Sequence, residues 1–302
     1  MNILVTGGEG FIGKKLINRL IKEGHNVISL DKKPTANIVK DLSDFIDIES
    51  YYPYLITYLN SYNFTKIDYI FHLAAQSGGY YSLENSYIDG KWNCLGTLNI
   101  VKLAQKLKVK KLVYVSSMAV YGNQKLVSED KTTPHPISFY GVSKFTGESY
   151  TKLIHKHDNI PYTIFRLFAT YGSGQDLDNK HQGILSIYLD QALRKNTIKI
   201  TGKKDRVREL IHVDDVVNAL MLSFNSKTDN EVFNVSNPQH LTPKIIISKI
   251  SKVLNKSLEI KEIDGYKGDQ TYITSKINKL QNIGWTPKIN IEEGIKEFVN
   301  NI

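Results

Sequence analysis

The chain has 302 residues, 41% of them hydrophobic, enough for one large α/β unit or two lobes and too apolar for a disordered chain. A single cysteine, Cys94, excludes an internal disulfide and fits a reducing, cytoplasmic compartment, and no apolar run approaches the roughly 18 residues of a membrane span. The net charge of +9 is scattered, with its densest group, Lys102 to Lys111, reading as the solvated face and end of a helix; anionic small ligands account for it, and neither nucleic acid nor a membrane is expected as a partner.

The chain enters a strand pattern at once with Ile3-Leu4-Val5, so no signal peptide is expected. Thr6-Gly7-Gly8-Glu9-Gly10-Phe11-Ile12-Gly13 follows as a glycine-rich turn, and Lys14 to Ile21 has helical apolar spacing. A strand, a glycine turn and a helix in that order predict a dinucleotide site. Gly7 takes the tight turn, Gly10 lets the backbone approach a pyrophosphate, and Gly13 lets the helix pack on the strand. The helix start at Phe11 and Ile12 offers N–H groups and a partial positive charge to the phosphates. Val27 to Leu30 reads as the second strand, and Asp31 stands at its end. A carboxylate there accepts hydrogen bonds from both ribose hydroxyls and repels a 2′-phosphate, so NAD is expected rather than NADP; Glu9 adds negative charge on that side, and Lys32 and Lys33 soften it.

Further along, Ile67 to Leu73 predicts a strand, Ser86 to Lys106 a long helix, Lys111 to Ser116 a strand, Phe139 to Lys156 a helix and Tyr162 to Arg166 a strand. Alternation of this kind implies a parallel, doubly wound α/β sheet with ligands beyond the carboxyl ends of its strands. After Arg166 the pattern becomes irregular, with helices near 183–195, 214–224 and 242–254, and Val232 to Val235 could return to the sheet as a late strand. The expected division is a dinucleotide-binding domain over 1–165, with a return around 207–236, and a smaller, mostly C-terminal α/β substrate lobe from 166–206 and 237–302.

The second chemical signal is Tyr140-Gly141-Val142-Ser143-Lys144. A Tyr and a Lys four apart share one helix face, and a neighbouring ammonium, together with the positive nicotinamide of a bound cofactor, would lower the phenol pKa so that Tyr140 could exchange a proton with a substrate hydroxyl. The same spacing also describes an ordinary surface pair; it gains meaning from Ser116-Ser117 at the end of the preceding strand, whose hydroxyl could reach the same substrate oxygen. His155, His157 and His181 have no partners at metal-ligand spacing, so no metal is expected, and His72 reads as part of a strand-end hydrogen-bond network. The tyrosine-rich stretch from Tyr51 to Tyr62 reads as helix packing.

Taken together, these segments resemble the extended short-chain dehydrogenase/reductase superfamily in its nucleotide-sugar epimerase/dehydratase branch, similar to the UDP-glucose 4-epimerases, over nearly the whole chain. The resemblance rests on the Gly7-x-x-Gly10-x-x-Gly13 spacing, on Asp41-Leu42 as the acid-plus-apolar pair at the adenine ring, and on His72-Leu73-Ala74-Ala75 as the loop over the cofactor phosphates. It extends through Asn93-x-x-Gly96-Thr97, the helix whose Asn supports the catalytic group and is expected at the cofactor, through Arg166 to Gly172 and Arg208 to Asp215, which frame the sugar nucleotide, and through Gly284-Trp285-Thr286-Pro287. It implies a Rossmann sheet, NAD as cofactor and a nucleotide-diphosphate sugar as substrate. The implied catalytic triad is Ser117, Tyr140 and Lys144, with Tyr140 and Lys144 also touching the cofactor and Ser117 the substrate. Arg208 is implied at the diphosphate, where a guanidinium binds bidentately, and Tyr80 at the sugar. The family also implies a homodimer built on the helices Ser86–Lys106 and Phe139–Lys156.

Departures narrow the chemistry. Met118-Ala119 stands where 4,6-dehydratases carry Asp-Glu, where decarboxylases need a Glu at the second position and where fucose-forming epimerase/reductases carry a Cys there. Ala169 replaces a frequent Asn, and Lys267 replaces an Arg before Gly268-Asp269, so Lys267 is expected to supply the missing charge to the substrate. What remains needs redox at C4 alone. The expected function is an NAD-dependent nucleotide-sugar 4-epimerase; the alternatives are a 4-keto nucleotide-sugar reductase or dehydrogenase using NAD(P), and a non-catalytic NAD-binding regulator, which the Tyr140/Lys144 pair disfavours.

Overall fold

Strand β1 (Asn2–Thr6) places Ile3 and Val5 in one hydrophobic layer and Leu4 in the other, all three fully buried. A strand apolar on both faces belongs inside a parallel sheet covered by helices on both sides. The computed structural model describes residues 1–44, 48–179, 183–265 and 270–302, and it forms around such a sheet. With β2 (Asn26–Asp31), β3 (Ile38–Val39), β4 (Tyr69–His72), β5 (Lys111–Ser117), β6 (Tyr162–Leu167) and β7 (Glu231–Val235), the order is β7-β6-β5-β4-β1-β2-β3, every pairing parallel. The late strand expected at Val232 to Val235 does return, pairing Glu231–Val235 with Thr163–Leu167.

The chain runs outward from β1 to β3, then crosses back to β4 on the other side of β1. That reversal opens a crevice at the carboxyl ends of β1 and β4, where ligands of such sheets sit. Helix α1 (Phe11–Lys22) buries Gly13, Leu16 and Leu20 against the sheet. The helical run expected over 86–106 is present, but a π-helical turn, Gly90–Leu95, separates Ser86–Asp89 from α2 (Gly96–Leu107). The wider turn rotates Asn93 into the protein, a common device at functional sites. Helix α3 (Phe139–Asp158) is capped by Ser138, whose Oγ accepts from Gly141 N at 3.1 Å.

The C-terminal half has its own apolar cluster, which includes Leu189, Ile198, Ile246 and Phe298. Its short parallel pairs join distant segments: Ala169–Tyr171 with Leu210–His212, and Thr197–Thr201 with Glu259–Ile263. The segment 48–61 is a helix that buries Tyr51, Leu55 and Leu59, as packing would require. One lysine corrects the sequence reading. Lys111 is buried at the start of β5, donating to Ser223 O at 2.6 Å and pairing with Asp229, rather than continuing the solvated helix face. No described helix is long and apolar enough to cross a membrane.

Candidate active site

A cleft of about 1160 Å³ lies over the carboxyl edge of the sheet. Its first wall is the glycine turn. Gly7 has φ +69°, and a side chain there would meet the backbone of Ala74; a Cβ on Gly13 would lie 2.1 Å from Gly7 O. Only glycines bring α1 this close to β1 and to the loop after β4. Gly10 caps α1 without any side-chain hydrogen bond, which leaves the first N–H groups of the helix for a ligand. Gly7, Gly10, Phe11, Ile12 and Gly13 all line the cleft, as do Leu73, Ala74 and Ala75. Asp31 stands at its edge, where its carboxylate accepts from Glu9 N at 3.0 Å and Lys33 N at 3.1 Å. Those backbone bonds fix an acid where a ribose would lie. Asp41 and Leu42 line the same end. Burial pushes Asp41 up, but bonds from Ser43 and the charges of Lys32 and Lys91 hold it below the usual carboxylate range. These features fit a dinucleotide: open helix N–H groups for phosphate, a fixed carboxylate for ribose and an apolar, glycine-floored groove.

His72 lies beneath this wall, with Thr6 Oγ1 2.7 Å from Nδ1 and Thr97 Oγ1 3.0 Å from Nε2. Burial, with Lys144 nearby, pushes its pKa down to about 3. It is a neutral strand-end connector, as expected.

The second wall carries Ser117, Tyr140 and Lys144. Ser117 ends β5, and its Oγ accepts from Ala119 N at 3.2 Å while acting on the Tyr140 phenol as a hydrogen-bond partner. Tyr140 is pinned through its backbone N–H, which donates to Ser82 Oγ at 3.1 Å. Helix α3 approaches β5 closely at Gly147, where a Cβ would lie 2.2 Å from the Tyr114 hydroxyl. The Lys144 ammonium therefore rests 4.4 Å from the centre of the Tyr114 ring.

The pKa pattern corrects one expectation. The protein's own groups do not depress the phenol: burial pushes Tyr140 up to about 12, the Ser117 bond pulls it down, and Asp89 raises it further. The same burial drives Lys144 down to about 7 against the opposing pull of Glu148, Asp89 and Cys94. At both groups burial outweighs the opposing neighbours, the Ser117 bond at Tyr140 and the negative charges beside Lys144.

Beneath the triad lies a buried polar floor. Asn93 does not line the cleft. Its amide oxygen accepts from Gln76 N at 2.8 Å, and its Nδ2 faces Asp89 Oδ1 at 3.0 Å, Ser143 Oγ at 3.1 Å and Gln76 O at 3.1 Å. It thereby ties the loop after β4 to α3. Glu148, fully buried, accepts two bonds from Arg166, at 2.8 and 2.7 Å, and one from Ser116 Oγ at 2.6 Å. Arg166 is thus a floor residue rather than one of the cleft's walls, its guanidinium 4.7 Å from the Tyr121 ring centre. Sequence reasoning missed Glu148 and Asp89. The signal existed: each is one helical turn from a chosen residue, Glu148 from Lys144 and Asp89 from Asn93.

The third wall comes from the C-terminal half. Arg208 is buried and lines the cleft, donating to Val207 O at 3.1 Å and to Gln270 O. The neighbouring Glu209 turns away from it to accept from Ser236 and Ser275, each at 2.6 Å. Tyr80 lines the cleft half-exposed, its hydroxyl donating to Glu84 Oε1 at 2.9 Å. Met118, Ala119 and Ala169 also face the cleft. Lys267 and His181 lie outside the described residues. Arg206, Tyr188, Lys199 and Gln270, none singled out from sequence, complete this end, brought there by segments with no local motif.

Known proteins of similar sequence and fold show the family to which the chain belongs. Residues 3–236 match the NAD dependent epimerase/dehydratase family. A protein named putative UDP-glucose 4-epimerase from Methanocaldococcus jannaschii is 33% identical, the match covering 99% of this chain and 97% of that one. The dTDP-4-dehydro-6-deoxyglucose reductase of Escherichia coli is 28% identical over 99% of this chain and 97% of its own length. The crystal structure of UDP-glucose 4-epimerase with UDP-glucose from Thermotoga maritima superposes with a TM-score of 0.90 at 30% identity, covering 100% of this chain and 98% of that one.

Proposed function

This chain is a member of the NAD-dependent epimerase/dehydratase family, an enzyme family whose cofactor is NAD, and on that premise we propose that it is a nucleotide-sugar 4-epimerase. The observation that carries the reading is one cleft lined by the glycine turn, by Ser117, Tyr140 and Lys144, and by the side chains of Met118 and Ala119, which offer no second acid or base beside the triad. A site so furnished suits proton and hydride exchange at one carbinol and no elimination or decarboxylation.

In this reading Ser117 hydrogen-bonds the sugar O4 and Tyr140 takes its proton. NAD, when bound in the groove, would supply reversible hydride acceptance at C4 and a positive charge that would draw the Tyr140 phenol pKa down. Tyr140 then gives the proton back to O4, so protons and hydride balance over the cycle. Lys144 holds the cofactor ribose, and its charge adds to the stabilisation of the Tyr140 phenolate once a ligand fills the pocket. Arg208 holds the diphosphate, Tyr80 the sugar, and Lys267 adds charge on the substrate side. Leu73, Ala74 and Ala75 cover the cofactor phosphates, and Asp41 and Leu42 bracket the adenine. We assign the cofactor to 1–165 with its return at 207–236, and the sugar nucleotide to 166–206 and 237–302. A homodimer through Ser86–Leu107 and α3 accounts for the exposure there of Tyr87 (94%), Leu95, Val142 and Leu153; light scattering at micromolar concentration should give twice the 34.3 kDa chain mass, and a monomer would remove this part of the reading.

Denaturing the purified protein and identifying the released nucleotide by mass spectrometry tests the reading. Stoichiometric NAD or NADH, followed by interconversion of a C4-epimeric pair in a panel of nucleotide sugars, is expected. Tyr140→Phe should lower turnover by about a hundredfold or more while NAD is retained. Wild-type turnover in that variant would sink the assignment. The E. coli reductase relative supports a second reading, net reduction of a 4-keto sugar. Empty protein that consumes added NADPH would put it first.

A further inference from the structure

At one end of the cleft, Lys32 and Trp92 meet. The Lys32 ammonium lies 3.5 Å from the centre of the Trp92 ring, and both residues line the cleft. They come from opposite walls. Lys32 directly follows Asp31 at the end of β2, and Trp92 belongs to the π-helical turn Gly90–Leu95. That turn and α2, which follows it, are anchored to the segment carrying Asp41 and Leu42: from the turn Lys91 Nζ reaches Asp44 Oδ1 at 3.3 Å, and from α2 Asn99 Nδ2 donates to Leu42 O at 2.8 Å. Asp31, Asp41, Leu42, Lys32 and Trp92 therefore surround one end of the groove, with the indole as its one large aromatic face among them.

We propose that Lys32 and Trp92 form a clasp that closes the adenosine end of the cofactor groove and slows dissociation of the dinucleotide. The inference rests on the assignment of NAD to this groove. A cation over an indole face is the strongest pairing of its kind, and it strengthens as water is excluded. The pair bridges the end of β2 and the π-helical turn across the groove, so opening it loosens the contact between those two walls. An epimerase that returns its hydride within each cycle works best when the dinucleotide stays bound, and a clasp at the far end from the chemistry achieves this without touching the reacting atoms.

The test is the dissociation rate of NADH, followed by its fluorescence after dilution or by displacement with excess NAD. Lys32→Ala and Trp92→Ala should each speed release by about 5- to 30-fold, the range expected for one such contact. The double variant should be no faster than either single one, since one contact is lost in all three. Trp92→Phe, which keeps an aromatic face, should recover most of the retention, whereas a merely structural indole would not be replaced by a smaller ring. Nicotinamide mononucleotide, which lacks the adenosine, should bind the wild type and variants alike. Release within twofold of wild type in both single variants would overturn the clasp. So would additive losses in the double variant, which would mean two independent contacts. Failure of the wild type to bind NADH would instead overturn the cofactor assignment itself.

Discussion

The two ends of the cleft are built on different principles. The end carrying the glycine turn is local: Gly7 to Gly13 and Asp31 lie within two strands and one helix, and the groups it leaves open to a ligand are largely backbone N–H groups at the start of α1. The sugar-nucleotide end is assembled from afar, with Arg208 hydrogen-bonded to the carbonyl of Gln270, and the Gln270 amide donating to Gly122 O at 2.7 Å. Between the two ends lies the triad, standing on a buried ionic floor. A motif can encode the first end because the sheet edge and helix start are fixed by neighbours in sequence. The second end depends on which loops the C-terminal core presses against the sheet.

Substitutions can separate these regions. The largest effect is expected from Gly13→Val, whose side chain has no room beside Gly7 O; NAD binding by titration calorimetry should disappear, and normal binding would mean that close approach of α1 is not what builds the cofactor end. Next is Glu148→Ala, which strands the buried Arg166 guanidinium and should cost about 3–5 kcal/mol in chemical denaturation at neutral pH. A loss under 1 kcal/mol would show that the floor is not held by this pair.

Lys144 gives a pH test with a definite sign. Its folded pKa, about 7, lies below the ordinary 10.5, so between those values the unfolded chain binds the extra proton. Stability of the free protein should therefore rise with pH through that window, with the full penalty present below about 7. Lys144→Met removes the penalty: the variant should be more stable than wild type by a few kcal/mol near pH 6–7, with the difference vanishing toward pH 10.5. Thermal melts across that range that run parallel for both proteins would contradict it. The smallest effect is reserved for the assembled end. Arg208→Lys keeps the charge but loses the bidentate fork, and should raise KM for the nucleotide sugar by about tenfold with NAD affinity unchanged. A fall in NAD affinity instead would place Arg208 at the wrong end.

The floor also explains a limit of reading the triad from spacing alone. The Tyr140/Lys144 spacing suggested an ammonium lowering a phenol, yet the buried pocket raises Tyr140 and lowers Lys144. Sequence spacing conveys which face two side chains share; it does not convey how much water that face retains, and here water decides the sign.

The sequence by itself determined the parallel sheet, the glycine turn and the acid at the end of β2, because alternating apolar runs and helical spacing are short-range consequences of strand and helix geometry, whereas the roles proposed for Ser117, Tyr140 and Lys144 rest on family resemblance. Only the tertiary structure decided that Asn93 works from beneath rather than on the wall, that Arg166 is locked by Glu148, that Lys111 is buried, and that Lys32 meets Trp92 across the groove. Those outcomes depend on contacts between segments remote in the chain, and on burial, which no local pattern specifies.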